Sequence, residues 1–120
     1  MIVGTILTLL VAIEHIYILV LEMFLWTEKR TRAIFGITKE VAEVSKTLAA
    51  NQGLYNGFLA AGLIFGAFSG NSEVGFAFKV FFLSCVIIAG IYGGATAKPR
   101  IFLVQGLPAL VALIIVVLTR

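Results

Sequence analysis

Four long apolar runs, separated by short polar links, dominate the pattern of the chain. They cover about residues 2–26, 48–68, 74–95 and 101–118. Each run has close to the roughly 20 residues that an α-helix needs to cross the hydrocarbon core of a bilayer. A helix also satisfies its backbone hydrogen bonds internally, as lipid requires. The pattern therefore predicts an all-α fold, a four-helix transmembrane bundle that forms one integral membrane domain over residues 1–120.

The composition also favours a location in the lipid bilayer. The chain is 61% hydrophobic and 12% charged, and its mean hydropathy is +1.11. A soluble domain of this size carries far more polar surface. No basic segment precedes the first apolar run, and the run is too long for a cleaved signal peptide. We therefore expect it to remain as the first span.

Basic residues are concentrated in two of the three links between the runs. Residues 27–47 and 96–100 contain most of them: Lys29, Arg30, Arg32, Lys39, Lys46, Lys98 and Arg100. Because cytoplasmic links of membrane proteins are enriched in Lys and Arg, this bias predicts a multi-pass protein of the cell membrane. Both of these links would be cytoplasmic and both termini outside. Since the charges flank spans, the net charge of +3 does not indicate a nucleic-acid partner.

The first link contains a helix signal of its own. Thr38 can cap a helix whose first turns hold Glu40 and Glu43, with apolar positions following at helical spacing. We expect this helix to continue without a break into the second span, as a cytoplasmic extension of the second helix.

Three titratable residues interrupt the first apolar run: Glu14, His15 and Glu22. A carboxylate near the bilayer centre costs roughly 2.5–3.5 kcal/mol, so such residues are seldom kept without partners or a function. On a helical wheel, His15 and Glu22 share one bearing and Glu14 lies on the adjoining flank. His15 and Glu22 are about 10 Å apart along the helix axis, so other helices must supply their partners.

The second apolar run contains a patch of polar residues that could face this trio. The first two runs are expected to be antiparallel, so their residues can be compared at equal distances from the cytoplasmic boundary. On this comparison Glu22 lies level with Asn51 and Gln52, and Tyr55 and Asn56 fall between the levels of Glu22 and His15. Gln105 of the fourth run reaches the same half of the membrane. We predict a polar, ligand-binding cavity lined by Glu14, His15, Glu22, Asn51, Gln52, Tyr55, Asn56 and Gln105.

Two strings within these runs resemble the signatures of a known family. The segments Ala12–Phe24 and Leu48–Gly62 are similar to those of the small membrane family filed as domain of unknown function, number thirteen hundred and four. The resemblance extends over essentially the whole chain. It implies a four-span membrane protein without an established activity. The family's motif residues correspond to Glu14, His15, Glu22, Asn51, Gln52, Tyr55 and Asn56.

Simpler interpretations exist for several of the polar and small residues. A single amide in a span often makes only an interhelical hydrogen bond. Lys79 can extend its ammonium outward from the third run or, alternatively, pair with Glu14. Three small-residue pairs recur at four-residue spacing: Gly53 and Gly57, Gly62 and Gly66, and Gly90 and Gly94. They favour packing within the chain, and a homo-oligomer interface is the alternative.

The candidate residues suit proton exchange better than metal or cofactor chemistry. Burial disfavours a charged carboxylate and histidine titrates near neutrality, so Glu14, His15 and Glu22 could exchange protons at physiological pH. The chain has one histidine, one cysteine (Cys85), no aspartate and no glycine-rich phosphate loop. We therefore predict no metal site, no disulfide, no nucleotide cofactor and no Ser-His-Asp triad.

Three functions fit these observations. The first is binding or proton-coupled transport of a small or lipid-like ligand, with Glu14 and Glu22 taking up protons or a cation. The second is an intramembrane acid–base enzyme acting on a lipid-soluble substrate, with His15 or Glu22 as general base and Tyr55 as a polarising donor. Its candidate catalytic residues would be Glu14, His15, Glu22 and Tyr55. The third is a structural or accessory membrane subunit.

Overall fold

The chain folds into five α-helices in a computed structural model that describes residues 2–120. They are α1 (Ile2–Met23), α2 (Lys29–Phe35), α3 (Lys39–Phe68), α4 (Ser72–Thr96) and α5 (Pro99–Leu118). No strand occurs in this described part of the chain. The predicted all-α class is therefore confirmed.

Three of the helices, α1, α4 and α5, are long and apolar enough to cross a bilayer. They support the assignment of a membrane protein. The remaining predicted run, residues 48–68, lies within α3, where amide side chains at Asn51, Gln52 and Asn56 reduce the apolar character of the helix. The four-helix count, and the sides of the membrane on which the links lie, stay predictions.

Side chains of the links fix where α3, α4 and α5 begin. The backbone N–H of Val41 donates to the hydroxyl oxygen of Thr38 at 3.2 Å, which confirms the predicted cap of α3. The N–H of Val74 donates likewise to Asn71 Oδ1 at 3.1 Å and caps α4. Pro99 opens α5, a position at which the missing N–H costs nothing. From its cap, α3 runs unbroken through residues 48–68.

The chain divides into two compact units. One comprises the residues up to Ile13 together with Leu59–Arg120, and the other comprises Glu14–Phe58. The buried core of the first unit consists mainly of small and medium side chains: Val11, Ala12, Ala60, Leu63, Leu83, Val86, Ala109, Ala112 and Val116. Such residues let membrane helices approach closely, because association in lipid depends on tight van der Waals contact.

The three predicted glycine pairs all contact other parts of their own unit. A Cβ built on Gly57 would lie 2.7 Å from Leu19 Cδ1, and one on Gly62 would overlap the Phe82 ring. A Cβ on Gly90 would lie 2.8 Å from the Cα and the backbone nitrogen of Gly106. Their partners Gly53, Gly66 and Gly94 are equally close to a neighbouring helix. The prediction of packing within the chain is confirmed for these pairs.

α5 contains a π-helical segment, Phe102–Gly106, that the sequence analysis did not anticipate. Here the N–H of Leu107 donates to the carbonyl of Phe102, five residues back. Pro108 follows directly, and it lacks the N–H that a regular α-helix would donate to the carbonyl of Val104. The wider π-helical turn just before this proline accommodates the loss of the hydrogen bond that the proline cannot donate.

Candidate functional site

His15 and Glu14 form a mostly buried pair on α1. His15 is 1% exposed, and its Nδ1 lies 3.9 Å from Oε1 of Glu14. That distance is too long for a hydrogen bond. The same Glu14 oxygen is buried and has no hydrogen-bond partner, the only such side-chain atom within residues 2–120. The pair thus contains an acceptor whose hydrogen-bonding capacity is unused.

The helical period of α1 explains why one member is more deeply buried. His15, Ile18 and Leu21 recur three residues apart and are all buried, so they occupy one side of the helix. Glu14 lies on the flank of that side, and its side chain is 26% exposed. The predicted placement of the two residues on adjoining bearings is confirmed.

Glu22 has a direct partner on α3. Asn56 Nδ2 donates to Glu22 Oε1 at 2.7 Å, and both side chains are half-buried. Gly53 lets the two helices approach here, because a Cβ at that position would lie 3.1 Å from Glu22 Cβ. The prediction that the second run supplies a partner for Glu22 is therefore confirmed for Asn56.

The partner lies one helical turn further along α3 than the sequence predicted. The prediction compared the heights of Cα atoms along the axes of the two helices, and it paired Glu22 with Asn51 and Gln52. Side chains of a helix lean toward its N-terminus, so the carboxylate of Glu22 lies nearer the level of Leu19 than that of its own Cα. Because α1 and α3 run in opposite directions, that level corresponds to Asn56.

The other polar residues of the α3 patch are exposed. Asn51 and Gln52 lie at the surface, and Tyr55 is 56% exposed with its ring edge-on to Phe58, the ring centroids 5.6 Å apart. These three positions lie on the side of α3 away from Gly53, whose side packs on α1. Gln105 belongs to the first unit and is half-buried in the π-helical segment. The role of these four residues in a ligand site stays a prediction.

Trp26 anchors the segment that follows α1. Its indole Nε1 donates to Ser45 Oγ on α3 at 3.0 Å, and its ring meets Phe35 edge-on at 4.9 Å between centroids. Trp26 is the only tryptophan of the chain and lies four residues after Glu22, beyond the end of α1. Its fluorescence therefore reports on a single site, the contact of this segment with Ser45 and Phe35.

The structure also contains a polar cleft that the sequence analysis missed. It has a volume of about 460 Å³, belongs to the first unit, and is lined by residues from the N-terminal part of α1, the end of α3, the start of α4 and the end of α5. Within it, Lys79 Nζ donates to Thr5 Oγ1 at 3.3 Å. Lys79 was expected to extend outward or to pair with Glu14. The sequence gives no signal for Thr5, because the two residues are 74 positions apart.

No group of three or more His, Cys, Asp or Glu side chains is placed to hold a metal ion within residues 2–120. The Glu14–His15 pair contains a carboxyl group and an imidazole, which can exchange protons, and the Glu22–Asn56 pair contains a carboxylate and an amide joined by a hydrogen bond. Glu14, His15 and Glu22 all lie on α1, a helix long and apolar enough to cross a bilayer.

Comparison with known proteins identifies relatives without a known activity. The family model described as "Protein of unknown function (DUF1304)" matches residues 9–117. A curated relative, the uncharacterized protein YpaA of Lactococcus lactis subsp. lactis (strain IL1403), is 40% identical over 111 residues, which cover 91% of this chain and 92% of that protein. No solved structure shows significant similarity to the chain.

Proposed function

Since the chain belongs to the family of proteins of unknown function DUF1304, we propose its function from its own residues. The proposed function is the binding or transport of a small ligand within the membrane, coupled to a proton that exchanges at Glu14, His15 and Glu22. The ligand carries a positive charge or an N–H donor, because these residues offer carboxylate oxygens.

One observation carries this proposal: the buried oxygen of Glu14 that accepts no hydrogen bond. Leaving a buried acceptor unsatisfied costs about 1–3 kcal/mol, so packing alone gives no reason for a carboxylate here. A cationic or N–H-bearing ligand would supply the missing donor. A proton on Glu14 would also remove the cost of burying its charge.

The nearby imidazole provides a physical basis for coupling. A proton on His15 would place a positive charge 3.9 Å from the Glu14 oxygen, where a cationic ligand would otherwise bind. Proton and ligand would then compete for one carboxylate. Competition of this kind is how intramembrane carboxylates link the binding of a substrate to proton movement.

The proposal includes a four-span topology in which residues 48–68 of α3 form the second span. The basic residues of the links around α2 and between α4 and α5 support cytoplasmic positions for both links. In this topology Glu14 lies near mid-depth, and Glu22 lies closer to the cytoplasm.

A structural role is the second candidate, and the Glu22–Asn56 hydrogen bond favours it for that residue. Interhelical hydrogen bonds in membranes stabilise packing by about 0.6 kcal/mol on average. Glu22 could therefore serve packing, whereas the unsatisfied Glu14 oxygen could not. The two carboxylates should consequently respond differently to substitution.

Replacing Glu14 by Gln is expected to leave the melting temperature of the detergent-solubilised protein unchanged or to raise it. The exchange removes a buried charge, and residues retained for function commonly reduce stability. The same variant should lose any response of Trp26 fluorescence to tetrabutylammonium, a lipophilic cation that stands in for the ligand. Wild-type fluorescence should change with this cation, and less so at acidic pH.

Glu28→Gln is the matched control, because Glu28 is exposed and lies outside the helices that can cross the bilayer. It should behave like the wild type in both measurements. The proposal is overturned if Glu14→Gln melts several degrees lower, or if neither the cation nor pH changes the fluorescence of the wild type.

A further inference from the structure

The cleft of the first unit is lined by a basic side chain, Lys79, that forms no ion pair with the described carboxylates. The ammonium of Lys79 lies on α4, a helix able to cross the bilayer, and its hydrogen bond goes to the neutral hydroxyl of Thr5 at 3.3 Å. Within residues 2–120, no carboxylate lies within 4.0 Å of this ammonium. Basic side chains inside membrane segments ordinarily pair with acidic groups or line a ligand path.

The second cation of the cleft, Arg120, has other partners. Its Nη2 lies 3.1 Å from Glu73 Oε1, and its guanidinium carbon lies 4.0 Å above the centre of the Phe76 ring. Arg120 therefore balances the only carboxylate side chain that lines the cleft. One positive side-chain charge remains in excess, and it is that of Lys79.

The walls of the cleft leave room for a ligand larger than a simple ion. At one wall Gly66 and Gly75 pack backbone against backbone, since a Cβ on Gly75 would lie 2.9 Å from the carbonyl oxygen of Gly66. Both glycines line the cleft together with Lys79. A volume of about 460 Å³ exceeds that of a bare oxyanion and falls within the range of small-molecule sites.

From these observations, we propose that the cleft binds a phosphate-bearing ligand, with Lys79 as the principal charge and Thr5 as the residue that positions it. An ammonium acts as a point charge that binds phosphate without strict geometry. The hydroxyl of Thr5 both holds the ammonium and can itself donate to a phosphate oxygen. The phosphate can come from a membrane phospholipid or from the aqueous phase.

The test measures the melting temperature of the full chain in a neutral detergent. One arm adds phosphatidylglycerol to the micelles, with phosphatidylcholine as the zwitterionic comparison. A second arm adds inorganic phosphate, with chloride at equal ionic strength as the comparison. A rise with phosphatidylglycerol alone identifies a lipid source, whereas a rise with inorganic phosphate identifies a soluble one.

Lys79→Met removes the charge while keeping most of the side-chain length, and it should weaken the apparent affinity for the effective phosphate compound by at least about tenfold. Lys29→Met, at an exposed position outside the cleft, should leave the affinity unchanged. If Lys79→Met does not fold, Thr5→Val provides the same test, with a smaller expected loss.

Two results would refute the assignment. One is the absence of any rise with either phosphate source, and the other is an equal rise for Lys79→Met and the wild type. Glu14→Gln should retain the full phosphate response. The phosphate proposal and the proposed proton-coupled site can therefore fail separately.

Discussion

Gly90→Ala is expected to lower the melting temperature of the protein markedly, although alanine is the better helix former. The added Cβ would lie 2.8 Å from backbone atoms of Gly106 on α5. Backbone cannot rotate away as a side chain can, so α4 and α5 must separate. Overpacking typically costs about 1–3 kcal/mol, and a contact with backbone that cannot move aside belongs at the upper end of that range, above the gain of about 1 kcal/mol in helix propensity.

Two further glycines provide graded controls for this prediction. Gly70→Ala should be nearly neutral, because no atom lies within 4 Å of the position of its Cβ. Gly62→Ala should be intermediate, since the contact is with the Phe82 ring, which can turn aside at some cost in packing. Equal stability of the Gly90 and Gly70 variants in thermal unfolding would show that α4 and α5 are not in backbone contact.

Asn56→Leu is expected to destabilise the protein by about 1–2 kcal/mol, because it removes an interhelical hydrogen bond and also leaves a half-buried carboxylate unsatisfied. The substitution removes the 2.7 Å bond to Glu22 and leaves the carboxylate half-buried without its partner. Combining it with Glu22→Leu should recover much of the loss, because the orphaned group is then absent. Detergent unfolding of the two single variants and the double variant gives the coupling energy directly.

Asn51→Leu is the appropriate control, because Asn51 is an exposed amide on the same helix. It should change stability little, and its effect should add to that of Glu22→Leu. If the effects of Asn56→Leu and Glu22→Leu were additive, the two side chains would have no coupling energy. The packing role of Glu22 would then lose its support.

Much of the helical layout could be predicted from the sequence because hydropathy and capping are local properties. A run of apolar residues has one low-energy backbone form in lipid, and Thr38 and Pro99 mark helix starts by their own chemistry. The side of α1 that holds His15 also followed from the helical period alone. For Glu22, an amide of the second run was predicted as a partner, and only its exact position differed.

The remaining features depend on contacts between distant residues, which no local pattern encodes. Nothing near Lys79 indicates Thr5, and nothing in the spacing of α3 shows that Gly53, rather than Asn51, faces α1. The side on which a helix packs depends on the residues that allow the closest approach. In α3 these residues are Gly53 and Gly57, and their side of the helix faces α1. The π-helical segment has one local sequence signal, Pro108, which follows it by two residues.

The backbone contact between Gly90 and Gly106 has a consequence for how relatives of this chain can diverge. A Cβ at Gly90 would meet the backbone of Gly106, and one at Gly106 would lie 2.7 Å from the Phe102 ring, whereas the leucines, isoleucines and valines around them can interchange with little effect on hydropathy. Among relatives, substitutions should therefore accumulate on the outward surfaces of α4 and α5 and be nearly absent at these two glycines. A paired loss of both glycines would mark a branch in which the two helices cross at a different point.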